Sequence, residues 1–374
     1  MKTAMPVRIT QNELRAIRIR AQCLVPRLPR QALVDVVKRL CGVNAQLYSA
    51  MALSLRARVE NLSIEDVESS RVTDRAVVRT WCMRGTMHLL AADDLDWMLS
   101  AVAPAEISGS WRWLAKRGGL ERKHAEKVLD VAYEMLKTKG AMTRRSLMDA
   151  VVRTLGSDIR RAAAGVVQLS GLLGRVCFGP DDGANPTYVA SDNWLGRQVK
   201  ASNEPDYSEL ARRYLQGYGP ATPHDFAAWW GLPLNKAKAA WTSLGDELIE
   251  LDVKGQAIWL LRSEQSALKK SSRRVQVVRL VPAFDTYLLG YHNRDFAVPP
   301  NYQTRVFHGG EIAPVILIDG CAAGTWRYES RGKHIRIKAT PFSSFTPHVR
   351  DLIAREADDI GRFFGLAAAL SFTQ

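Results

Sequence analysis

The chain has 374 residues, of which 47% are hydrophobic and 24% charged, proportions that exclude a disordered or collagen-like chain and fit a soluble globular protein of two or three domains. Lysine and arginine outnumber aspartate and glutamate by 14, which favours a polyanionic partner such as nucleic acid. The excess is uneven: residues 1–60 hold eleven lysines and arginines against Glu13, Asp35 and Glu60, or +8 of the total.

In chain order, Thr10 with Glu13 forms a capping box, and Leu14, Ile17, Ala21 and Leu24 follow at helical spacing. A second helix presents Leu33, Val36, Val37 and Leu40, with Gly42 as its stop. A third spans about Ser49 to Val59. A hairpin runs from Arg79 to Met83, turns at Arg84-Gly85 and returns from Thr86 to Leu90. Residues 1–125 form a first unit on this reading.

Residues 126–200 repeat the plan. Gly140-Ala141-Met142-Thr143 opens a helix over Arg144–Leu155, and another covers about Arg161–Leu173. Val176–Phe178 and Thr187–Val189 read as paired strands. Residues 201–264 give the clearest copy. Thr222-Pro223 starts a short helix that stops at Gly231, and a second runs from about Asn235 to Leu244. Strands Leu248–Val253 and Gln256–Leu261 join through Lys254-Gly255. Helix, turn, helix, hairpin is the plan of a winged helix-turn-helix.

Ser263–Arg274 is polar and basic and reads as a linker. Residues 275–374 carry strand patterns at Val275–Leu280, Pro314–Ile318, Thr325–Tyr328 and His334–Ala339, then a helix capped by Thr346-Pro347. This is expected to be a small sheet or barrel. The predicted class is α+β: three tandem winged-helix units and a β-barrel-like domain. Trp111, Trp113, Trp229 and Trp230 sit at helical spacing and read as packing rather than base-stacking platforms.

The five cysteines include no C-x-x-C pair and are odd in number, which argues against a zinc site, an iron–sulfur cluster or a disulfide framework. Reduced thiols fit the cytoplasm. No apolar run approaches a bilayer's thickness, and no signal core follows Met1. The P-loop, H-E-x-x-H, G-x-S-x-G and G-x-G-x-x-G signatures are missing. What remains is a pair of amides in an apolar frame, Gly42-Val43-Asn44-Ala45-Gln46-Leu47. In an extended link, residues two apart point to one side, so Asn44 and Gln46 project together. A helix cap at Asn44 beside a solvated Gln46 is the plain alternative.

Five stretches, in this order, carry a resemblance over nearly the whole chain. They are Gly42–Gln46, Arg79–Leu89, Tyr218–Pro223, Pro282–Gly290, and Asp319-Gly320 through Gly324–Arg327. In them the chain resembles the winged-helix DNA glycosylases of the AlkZ and YcaQ type, which release bulky alkylated purines and unhook crosslinks. The resemblance implies a C-shaped body around double-stranded DNA. It also implies a monofunctional enzyme that hydrolyses the N-glycosidic bond of bulky N7-alkylguanine, without metal or cofactor. The family's catalytic motif is Gln-x-Gln or Gln-x-Asp. Gln46 matches its second position, and Asn44 departs from Gln at the first.

The cationic N7-alkylated base already leaves well, so an amide need only orient water and stabilise an oxocarbenium-like sugar. Asn44 and Gln46 are the expected catalytic residues. Arg15, Arg18, Arg56, Arg79, Arg84, His88, His292 and Arg294 are expected to face DNA. Asp285 is expected to cap a turn. A monomer in the cytoplasm at the nucleoid, serving self-resistance to a DNA-alkylating natural product, completes the expectation. Two other readings stay open: a non-catalytic DNA-binding protein recognising damage or regulating transcription, and a scaffold whose winged helices bind proteins.

Overall fold

Four helices begin where a threonine side chain accepts the hydrogen bond of a first-turn amide. Thr10 caps Gln11–Ala21 and Thr222 caps Pro223–Trp230, each closing a reciprocal box with Glu13 or Asp225, while Thr143 caps Arg144–Leu155 and Thr346 caps Pro347–Phe364. The computed structural model describes residues 6–101, 104–156, 159–200, 205–270 and 276–373. The chain divides into two units, one of Met1–Val67 with Tyr207–Gln374 and one of Glu68–Asp206. The division falls within the expected first unit, and its hairpin goes with Glu68–Asp206.

In the first unit, helices Gln11–Ala21 and Leu33–Arg39 pack on Tyr207–Tyr218, which with Pro223–Trp230 packs on Leu234–Leu244, while Tyr48–Arg56 packs on Leu33–Arg39 and on Pro347–Phe364. Strands Leu248–Val253 and Gln256–Leu261 form the expected antiparallel hairpin, and Val7–Arg8 adds a parallel edge strand. Tyr214, Tyr218, Phe226, Trp229 and Trp241 pack rings at 4.9–6.4 Å. Trp229 and Trp230 are buried core, as their spacing implies. The expected linker instead carries a short helix, Ser266–Lys270, while residues 271–275 lie outside the described residues.

The C-terminal strands make one five-stranded sheet, and its order corrects the barrel expectation. Val278–Val281, Val315–Ile318, Cys321–Arg331, His334–Pro341 and Ala367–Phe372 pair in chain order. The outer two do not meet, so the sheet is open. The last strand runs parallel to its neighbour and was not expected from the sequence. Helix Pro347–Phe364 covers the sheet through Val349, Ile353, Ala357, Ile360 and Phe363, a stripe at helical spacing.

The second unit holds helices Arg122–Lys139, Arg144–Leu155 and Ala163–Leu172 and a three-stranded sheet of Met142–Thr143, Thr187–Ala190 and Val176–Phe178. The hairpin Val77–Trp81 with Met87–Ala91 belongs here, and Trp81 packs on Phe178 and Tyr188. Trp113, though 38% exposed, lays its ring against Gly165 of helix Ala163–Leu172, and Trp111 lies under the Arg122 guanidinium at 3.5 Å.

Candidate active site

Helix Leu33–Arg39 ends at Leu40, and Cys41 and Gly42 then take left-handed φ of 49° and 96°. Gly42 is suited to that turn because it has no side chain to clash, and its N–H closes the helix on the Val37 carbonyl at 2.9 Å. The chain leaves the turn extended. Val43 and Ala45 point inward, 1% and 0% exposed, so the alternation sends Asn44 and Gln46 the other way. Asn44 is buried and Gln46 exposed. The Asn44 amide nitrogen donates to Gln46 Oε1 at 3.1 Å, and the Gln46 backbone N–H donates to Asn44 Oδ1 at 3.3 Å.

This pairing defines what the two amides can do. Gln46 Oε1 spends one lone pair on Asn44 and keeps another, which can accept a hydrogen bond from water. A neutral amide is too weak a base to take a proton early. It can hold a water's oxygen towards a sugar carbon and place partial negative charge beside a developing cation. The pair is therefore suited to hydrolysis in which the leaving group needs little help. The cysteine thiol in the neighbouring sequence motif is no nucleophile: burial pushes Cys82 up to about 12.

The site rests on helix Tyr48–Arg56, in which Ala50 through Arg56 are all buried. Its far end is tied down by Asp285. Asp285 Oδ1 accepts from Arg58 Nη2 at 2.7 Å and from the Tyr287 N–H at 2.9 Å, and Oδ2 accepts from Arg58 Nη1 at 2.8 Å and Ser54 at 2.7 Å. It also caps the short helix Thr286–Leu289. The expected turn-capping role of Asp285 holds, and all its capacity is committed inside the fold. A second tie joins Arg56, 0% exposed, to Glu356 at 2.9 Å and Asp359 at 3.0 Å on the C-terminal helix. Burial lowers the Arg56 pKa and the two carboxylates oppose that.

Several residues expected to face DNA are instead interior. Arg56 is the plainest case. Arg18, 3% exposed, donates Nε and Nη2 to the Pro220 carbonyl and lies over the Tyr291 ring at 3.9 Å. Arg79, 7% exposed, stacks on Phe178 at 4.3 Å. His88 is buried and its Nδ1 meets the Thr86 carbonyl at 3.0 Å. Burial and the nearby Arg84 charge lower its pKa to about 3, so it stays neutral and offers phosphate no charge. These four are corrected because the fold buries them: Arg18 on the Pro220 carbonyl, Arg56 against Glu356 and Asp359, Arg79 on the Phe178 ring and His88 on the Thr86 carbonyl. Arg15 is half-buried, with Nε on the Phe296 carbonyl at 2.8 Å. Arg84 holds the hairpin turn at φ 54° and is partly exposed. His292 is exposed, and Arg294, half-buried, lies over Phe307 at 4.8 Å. Asn44 and Gln46 come together in the first unit, which also holds Arg15, His292 and Arg294, and Arg84 belongs to the second.

The sequence reading missed a basic sheet face. Arg327 pairs with Lys338, Glu329 with Arg336, and Arg331 with His334 across neighbouring strands. All but the half-buried Lys338 are exposed, and Ala367, Ala369 and Ser371 continue the same face with small side chains. Four permanent cations thus stand against one carboxylate on one face of the sheet. The signal was present as alternation, Arg-x-Glu-x-Arg and His-x-Arg-x-Lys, with Ile335 and Ile337 buried behind it.

Among the described residues no group of three or more His, Cys, Asp or Glu side chains could hold a metal ion, and no helix is long and apolar enough to cross a membrane. The amide pair thus sits in the extended link just before the buried helix Tyr48–Arg56, in a mixed helix-and-sheet fold. A family model described as DNA glycosylase AlkZ-like matches residues 37–363. The interstrand DNA cross-link repair glycosylase of Streptomyces sahachiroi is 29% identical over 365 residues, covering 94% of this chain and 96% of that protein. The solved structure of Streptomyces sahachiroi DNA glycosylase AlkZ superposes with a TM-score of 0.81 at 26% identity, over 98% of this chain and 100% of that one. The chain belongs to the AlkZ-like DNA glycosylase family and is a DNA glycosylase.

Proposed function

We propose that this glycosylase hydrolyses the N-glycosidic bond of bulky N7-alkylguanine in double-stranded DNA, including crosslinked guanine. The observation that carries the reading is the Asn44–Gln46 amide pair, held by one hydrogen bond at 3.1 Å with Gln46 open to solvent. Such a pair suits a substrate whose base is already cationic and departs without protonation. The cross-link activity in the name of the 29%-identical relative supports the same substrate class. The absence of a lysine from the pair favours a monofunctional reaction, ending at an abasic site. The helix–helix–hairpin runs support three tandem winged-helix units. Duplex phosphates fall to the half-buried Arg15, Arg84 and Arg294 and the exposed His292, together with Arg327, Arg331, Arg336 and Lys338 of the sheet face. The protein acts as a monomer at the nucleoid and serves self-resistance to a DNA-alkylating natural product. The test is release of the modified base from a duplex with one N7-alkylguanine. Wild type is expected to free it and the Asn44→Ala, Gln46→Ala double variant to fail. Equal release by both, or none by wild type, overturns the reading.

The buried position of Asn44 also bears on a second reading, a protein that binds damaged DNA without cutting it. That reading predicts lesion-dependent binding with a steep salt slope and no released base.

A further inference from the structure

We propose that Leu47 is a wedge that opens the base step beside the damaged nucleotide, an inference that rests on Gln46 facing the reacting sugar. Leu47 is 50% exposed, more than Val7, Trp113 or Leu173, the other large hydrophobic side chains exposed among the described residues. It directly follows Gln46, and none of the other three adjoins a candidate catalytic residue. It occupies the N-cap of helix Tyr48–Arg56 with extended φ −108° and ψ 116° and makes no side-chain cap. That position ordinarily favours Ser, Thr, Asp or Asn, whose oxygen would accept a first-turn N–H. An apolar side chain there gives up a cap and exposes hydrocarbon, and neither helps the free protein fold.

The mounting is rigid. Ala45 on one side is 0% exposed, Met51 donates its N–H to the Leu47 carbonyl at 3.0 Å, and the helix beyond is buried from Ala50 to Arg56. The strand alternation ends at Leu47, the helix N-cap, so Gln46 and Leu47 are both open to solvent on neighbouring positions of the chain. Leu47 therefore meets duplex one residue along from the sugar that Gln46 addresses.

The chemistry of the lesion explains why such a side chain is wanted there. N7 of guanine lies in the major groove, so a bulky N7 adduct fills that groove. A protein that must bring water to the sugar carbon is left the minor-groove side. Leucine is among the side chains that enter a base step from the minor groove, unstack it and bend the duplex towards the major groove. Opening the step exposes the sugar carbon without drawing the bulky base into a tight pocket.

The experiment compares wild type, Leu47→Ala and Leu47→Met. The probes are a duplex carrying one nitrogen-mustard N7-alkylguanine with 2-aminopurine as its neighbour, and the same strand unpaired. Wild type and Leu47→Met are expected to raise 2-aminopurine fluorescence on the duplex, and Leu47→Ala is not. Base release from the duplex by Leu47→Ala falls about tenfold or more, while release from the unpaired strand, which has no paired stack to open, stays level. Unchanged unstacking and release by Leu47→Ala overturns the proposal. So does a loss of equal size on the unpaired strand, which would place Leu47 in support of Gln46 or of the fold. If wild type releases no base from either probe, the substrate reading fails, while a fluorescence rise that depends on Leu47 still upholds the wedge.

Discussion

Gln46 and Asn44 differ in what surrounds them, and that difference ranks them. Gln46 is exposed and keeps a free lone pair for water, whereas Asn44 is 7% exposed and spends its amide on Gln46. On the proposed mechanism, Gln46 is the residue that touches the reacting groups and Asn44 the one that positions it. Single-turnover base release is expected to fall about a hundredfold in Gln46→Ala and about tenfold in Asn44→Ala. The double variant loses little more than Gln46→Ala, because residues acting as one unit are not additive; the opposite ranking would assign the chemistry to Asn44. Asp285 belongs to the same scale. Asp285→Asn removes the charge that compensates a fully buried Arg58, and urea denaturation should show a loss of about 3 kcal/mol. The amide pair was legible in the sequence because alternation alone places both groups on one side. The fate of Arg18 and Arg56 was not. Their partners lie far along the chain, at Pro220, Glu356 and Asp359, and a local run of arginines looks the same whether it meets phosphate or its own carboxylates.

Helices and hairpins follow local rules, and most of them could be read directly. Threonine caps at Thr10, Thr143, Thr222 and Thr346 mark four helix starts, and glycine turns at Gly85 and Gly255 mark two hairpins. The strand Ala367–Phe372 escaped because Ala-Ala-Ala-Leu favours a helix and only parallel pairing with His334–Pro341 makes it extended. The hairpin of the second unit carries a pH response. Burial holds the His88 pKa at about 3 against an ordinary 6.5, so the folded state prefers the neutral ring. Its contribution is intact above pH 6.5 and declines as pH falls towards 3, where the unfolded chain takes up the proton first. His88→Asn keeps a donor for the Thr86 carbonyl and lacks that titration. Between pH 7 and pH 4.5 the wild type should lose about 2 kcal/mol more than the variant, read from denaturant midpoints at both pH values. An equal loss in both would show that His88 titrates normally.

At the scale of the molecule, the net charge of +14 is not where the sequence seemed to put it. Arg18, Arg56 and Arg58 of the basic N-terminal run are interior, and Arg27 is paired with Glu356 and Asp359. On the open sheet, by contrast, Arg327, Arg331 and Arg336 face outward with the half-buried Lys338 beside them. Replacing these four with alanine is expected to weaken duplex binding for every sequence tested. It should also flatten the plot of log affinity against log salt by about 3 to 4 units; an unchanged slope would remove this face from the DNA surface.

The ties that support helix Tyr48–Arg56 span long stretches of chain: Arg58 waits 227 residues for Asp285, and Arg56 waits 300 for Glu356. At about 5–20 residues per second of synthesis, the interval is on the order of tens of seconds. Throughout it the helix under Gln46 has neither of its carboxylate anchors. A partly made chain emerging from the ribosome therefore carries the proposed catalytic amides without the support beneath them, and on that reading base release waits for the C-terminal helix.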